Sequence, residues 1–153
     1  MWNDDKDVIF EELYNNRMLS SNNEIENYEH NLELLSDKFS EEDIIKLCST
    51  FEDKTCNSEV MFSAIHLLES LSSEQAYENT IIGIVNMYIS SPEWANTIIY
   101  RLLNDEFSVQ MIKGLYNRLP QNTNDKFKLI LESIKHDDYE KYGKSIDVIL
   151  VCI

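Results

Sequence analysis

MFSAIHLLESL, residues 61–71, is a nearly unbroken apolar stretch, interrupted by a histidine and, three residues later, by a carboxylate. Read as an amphipathic helix, it sets the pattern for the whole chain. Apolar residues recur at steps of three and four almost throughout, the spacing that puts them on one helical face. His66 then has Phe62, Ile65 and Leu68 or Glu69 within one turn on either side, and His66 and Glu69 share a face. Two readings of the pair follow. As a metal or catalytic site it supplies at most two ligands. It has no second Glu-x-x-His helix beside it and no glycine-rich nucleophile turn. As a structural pair it is a histidine tolerated in the core because it is bonded to a carboxylate or carbonyl, as buried polar groups nearly always are. The second reading is the expectation.

Working outward, helices are expected over 7–19 (Val8, Ile9 and Leu13 inward) and 24–38 (Ile25, Tyr28, Leu32, Leu35). Another starts at Ser40, which with Asp43 forms a capping-box pattern, while Glu41 and Glu42 complement the helix dipole. Its inward stripe is Ile44, Leu47, Cys48 and Phe51. The polar turn EDKTCNS leads into the opening stretch, and Ser73 begins a helix with Tyr77, Ile81, Ile84, Val85 and Tyr88 inward. In SSPEW (90–94), Ser91 can cap, Pro92 suits the first helical position, and Trp94, Ile98, Leu102 and Leu103 follow at helical spacing. Further helices are expected over 106–118, 123–136 and 138–149, with LPQNTN as the last break. Starts near Ser40, Ser73 and Glu106 repeat at about 33 residues, the period of stacked helical hairpins. The expected fold is therefore all-α: one domain of antiparallel hairpins in an irregular, superhelix-like stack, with a simple bundle as the alternative.

Composition limits the function. The 153 residues carry 28 acids against 13 bases, a formal net charge of −15. A surface of that sign repels phosphate backbones and anionic lipid, which argues against nucleic acid or membrane as partner. It attracts cationic proteins instead. The charge is skewed, with 16 acids and 5 bases in residues 1–60 and 12 and 8 in the remainder. That skew is open to two readings, a solvated face or a partner-attracting one. Cys48, Cys56 and Cys152 are odd in number and lack metal-ligand spacing, which fits a reducing compartment. The acidic start MWNDDKD does not read as a signal peptide. The richest apolar run, IIGIVNMYI (81–89), is about half the length a membrane-spanning helix needs. His30 and His136 lie in polar surroundings, and Gly83, Gly114 and Gly143 are isolated, so no phosphate loop is present. Neither a cofactor nor a metal is expected.

Three segments in fixed order carry a family resemblance: IIKLCSTFED (44–53), EVMFSAIHLLESL (59–71) and PEWANTIIYRLLND (92–105). Over residues 40–135 the chain resembles the immunity protein 30 family of bacterial polymorphic toxin systems. The resemblance implies an all-helical, non-enzymatic cytoplasmic protein that binds a cognate toxin, such as a nuclease delivered by sibling cells in contact-dependent inhibition. The monomeric chain would hold that toxin in a one-to-one complex. It carries over no catalytic residues. It does suggest His66, Glu69 and Arg101 as a polar framework of the fold, with Glu69 pairing Arg101 in the otherwise apolar IIYRLL and His66 adjacent. Toxin-contacting acids are expected at helix ends gathered on one edge: Glu52, Asp53, Glu93, Asp105 and Glu106. Trp2, Trp94 and Tyr116 are the candidate aromatic anchors. A helical-repeat adaptor binding a peptide within its own cell is the alternative function, and a small metal-dependent or hydrolytic enzyme around His66 is a third.

Overall fold

Serine, asparagine and aspartate side chains mark the start of most helices. The structure, a computed structural model, describes residues 3–151. Among these are nine α-helices: α1 (Asn3–Asn15), α2 (Asn22–Ser36), α3 (Ile44–Cys48), α4 (Ser58–Leu68), α5 (Glu74–Met87), α6 (Pro92–Leu103), α7 (Glu106–Leu115), α8 (Gln121–Asp137) and α9 (Lys144–Leu150). No strand occurs among the described residues. Side-chain caps from Ser21, Asn57, Ser73 and Asp105 accept the backbone N–H three residues on in α2, α4, α5 and α7. Each satisfies one of the N–H groups that a helix start leaves open.

The expected helix over 40–51 is shorter than its pattern. Ser40 and Asp43 do form the reciprocal capping box, but around a single 3-10 turn (Glu41–Asp43), and α3 lasts only to Cys48. Residues 106–118 divide similarly into α7 and a 3-10 turn, and 138–149 into a π-helical turn (Tyr139–Gly143) and α9. A Cβ at Gly143 would run into the Tyr139 ring as it lies in that π turn. The first helix ends four residues earlier than expected, and its Val8 is exposed while Ile9, Phe10 and Leu13 are buried. The chain then reverses through Leu19, whose φ of 50° is left-handed and whose side chain is nonetheless buried.

Helix α1 packs on α2, and α5 packs on α3, α6, α7 and α8, around one continuous core containing Leu13, Tyr28, Leu47, Met61, Ile81, Ile99 and Phe127. The α3–α5 crossing is tight, since a Cβ on Gly83 would lie 2.5 Å from Cys48 Sγ and 2.9 Å from its Cβ. Gly83→Ala should therefore destabilise the fold by about 1–3 kcal/mol, although alanine is the better helix former, because the core must move apart to admit a methyl group. Urea unfolding checks this.

Burial pushes the Cys48 thiol from its ordinary 9.0 up to about 12, and burial likewise raises the Tyr28 phenol. Both groups stay neutral in the fold while the unfolded chain ionises. Stability is then full below pH 9 and falls as pH rises toward 12, because the folded state holds more protons there. Cys56 is exposed. A Cys152→Ser chain should thus react quickly with a thiol reagent once, at Cys56, and with Cys48 only on unfolding. Labelling followed by peptide mass analysis reads this out.

Candidate functional site

The polar turn EDKTCNS becomes the junction on which the front of the molecule is assembled. The Asp53 carboxylate accepts the backbone N–H groups of Glu93 (2.9 Å) and Trp94 (3.0 Å), capping α6 from across the chain. Ser91, the expected cap, instead donates its hydroxyl to the Phe51 carbonyl at 2.9 Å. The Trp94 indole N–H donates to the Glu52 carbonyl at 2.9 Å, and the Glu52 carboxylate pairs with Arg17 at 3.2 Å. The Met18 carbonyl accepts the Cys56 N–H at 2.8 Å, fastening the α1–α2 reversal to the same loop.

Past this junction, two pockets are lined jointly by α4 and α6, with their residues in the same order along both helices. Ser58 and Phe62 of α4 share one end of the seam with Glu93, Trp94 and Thr97 of α6. Ile65, Leu68 and Glu69 share the other end with Ile98, Arg101 and Leu102. On α6 these positions step by three and four, so one face lines the whole groove. Over the twelve residues of α6 the groove runs about 18 Å, at a rise of about 1.5 Å per residue.

The groove has two pockets of about 450 Å³ each. One has aromatic walls, Phe62 and Trp94, with Asp53 and Glu93 at its rim. The other has an aliphatic floor of Ile65, Leu68, Ile98 and Leu102 and is edged by Glu69, Arg101 and Asp105. Phe62 stands between them, its ring 6.0 Å from that of Trp94 and 5.1 Å beneath the Arg101 guanidinium. The aliphatic pocket ends at Tyr77, whose hydroxyl shares a 2.9 Å hydrogen bond with Ser108 and whose ring lies 6.2 Å from that of Phe107. Phe107 is 56% exposed.

Arg101 donates from both Nε and an Nη to Glu69, at 2.6 and 2.8 Å, a two-point bridge between α6 and α4. These bonds raise the already high pKa of Arg101 further. The pair is not buried, with side-chain exposures of 39% and 41%. His66 is a correction to the expected polar core. The buried stripe of α4 is Met61, Ala64, Ile65 and Leu68, and one residue past Ile65 turns the side chain about 100° away, to the surface. There the imidazole stands edge-on to Phe62, 5.4 Å between centroids. Among the described residues no three of the His, Cys, Asp and Glu side chains group closely enough to hold a metal ion.

The expected contact residues are rearranged as well. Trp94 (8% exposed) and Tyr116 (3%) are core residues, and of the two only Trp94 shows part of its ring to a pocket. Trp2 lies outside the described residues. The acids do not share one edge: Glu52, Asp53 and Glu93 stand at the start of α6, Asp105 and Glu106 past its end. Asp105 caps α7 through Ser108, and Glu106 accepts a hydrogen bond from Gln110. Phe62 and Phe107 were not singled out by the sequence. Phe107 falls out of phase with the buried Val109, Ile112 and Leu115 of its helix, which is the signal that could have found it.

The described residues form an all-helical fold with two open pockets along the α4–α6 seam. A family model, immunity protein 30, matches residues 15–112, about two thirds of the chain. The chain belongs to that family of immunity proteins, whose cognate partner is a toxin. The match begins at the end of α1 and stops within α7, so it starts 25 residues before the segment the three motifs marked and omits α8 onward. Every groove residue named above falls inside it. No curated protein and no solved structure matches the chain. No helix of the described residues is long and apolar enough to cross a membrane.

Proposed function

We propose that this chain neutralises a cognate bacterial toxin by tight, non-covalent, one-to-one binding in the cytoplasm, without catalysis. The observation that carries the reading is the family match over residues 15–112. The charge supports it and describes the partner. At a net −15, with Glu26, Glu29 and Glu33 along the outer face of α2 exposed and in no ion pair among the described residues, the surface favours a cationic partner. Toxins that cleave nucleic acid carry such basic surfaces to hold phosphate. To silence a catalytic toxin at low copy number, the dissociation constant must be about nanomolar or tighter, on the order of −12 kcal/mol.

The test is co-expression with the toxin encoded beside this chain's gene. The chain should restore growth of cells making the active toxin and co-purify with it. Growth arrest unchanged by an equal or greater amount of folded chain would refute the reading.

A further inference from the structure

We infer that the α4–α6 groove is the toxin-binding surface. It would receive a cationic segment of the toxin: an arginine or lysine in the aromatic pocket and an aliphatic side chain in the pocket beside it. The inference rests on the neutralisation reading for the identity of the partner, and on the groove for its place and chemistry.

Charge complementarity selects the occupant. The two pockets are edged by three further carboxylates, those of Asp53, Glu93 and Asp105, beside the Glu69–Arg101 pair. The Arg101 guanidinium is already neutralised by its two bonds to Glu69. No free positive charge therefore remains among the lining residues to oppose an incoming cation. At the α6 start, carboxylates stand beside Phe62 and Trp94, a pairing that suits a guanidinium or ammonium through both charge and ring. Toward the α6 end, Ile65, Leu68, Ile98 and Leu102 suit a side chain with no charge, and the exposed Phe107 extends the apolar surface beyond them. An apolar centre with a polar rim is the arrangement in which a few buried contacts carry most of the binding energy.

The outer face of α2 is acidic, with Glu26, Glu29 and Glu33 exposed. We assign it to attraction of the toxin at a distance and the groove to contact. The two roles separate kinetically, because rim and remote charges act mainly on association and buried contacts on dissociation.

The experiment measures association and dissociation rates of the full chain with a catalytically inactive form of the toxin encoded beside its gene. Thr97→Arg places a cation inside the aromatic pocket, Glu93→Lys reverses its rim, and Phe107→Ala shortens the apolar end. Glu140→Lys makes the same charge change on the π turn, outside the groove. Circular dichroism melts confirm that each variant folds. Thr97→Arg should weaken binding by about 30-fold or more, chiefly through faster dissociation. Glu140→Lys should change affinity by less than about threefold. If the unsubstituted chain binds tightly and the folded groove variants bind equally well, the groove assignment is wrong and the neutralisation reading stands. If the unsubstituted chain does not bind that toxin at all, both are wrong.

Discussion

Raising the salt concentration from about 0.01 M to about 0.15 M should slow association with the toxin by about 10- to 100-fold, because the Debye length shrinks from about 30 Å to about 8 Å. The cause is the distribution of charge. Of the acids in residues 1–60, those on the outer face of α2 and at Asp5 and Glu11 of α1 point into water. Their summed field acts over many ångströms in dilute salt and over little more than contact distance at physiological strength. Dissociation should change far less, since the groove contacts are short-ranged and partly desolvated. Stopped-flow measurement at several ionic strengths separates the two rates. A salt-insensitive association rate would remove electrostatic capture from the mechanism, whatever the affinity.

Trp94→Ala should lower the unfolding free energy by about 3–5 kcal/mol, the largest single effect expected on the fold. The ring is only 8% exposed and stands 5.5 Å from Phe51 and 6.0 Å from Phe62, edge to face in both cases. Truncation also leaves the Glu52 carbonyl without its indole donor. Since Asp53, Glu52 and Ser91 all converge on this junction, the loss should loosen the start of α6 before it unfolds the rest. By contrast, Glu69→Ala removes a half-exposed pair and should change stability by less than about 1 kcal/mol. Denaturant unfolding of the two variants side by side distinguishes the packed junction from the surface bridge.

The fold was largely legible because helical phase depends on neighbours in sequence. Ser40 with Asp43, Ser73, and Pro92 each marked a helix start that the structure also places there, and the inward stripes of α2 and α5 follow the spacing of Tyr28, Leu32 and Leu35, and of Tyr77, Ile81, Ile84 and Val85. Where the expectation failed, tertiary contacts had overridden local ones. Ser91 looks like a cap, yet Asp53 takes that role from 40 residues away in sequence. The polar string EDKTCNS reads as a loop, and nothing local reveals that it fastens α6 and the α1–α2 reversal together.

The site was legible only in part. Glu69 and Arg101 could be paired from their chemistry, but not their exposure, since that depends on whether another element covers the α4–α6 seam. His66 was misplaced by one step of helical phase, an error of about 100° that turns a core residue into a surface one. Ser108 is buried beside the exposed Phe107, and the Tyr77 hydroxyl bonds it inside the fold. A groove is the space between two helices, and the spacing of residues along either helix does not show it.

The most direct measurement is a titration of the purified toxin's own activity with this chain, at about 0.15 M salt. Activity should fall linearly to zero at one chain per toxin, with a dissociation constant of about nanomolar or below. Undiminished activity in the presence of excess folded chain would contradict the claim that it works by holding the toxin.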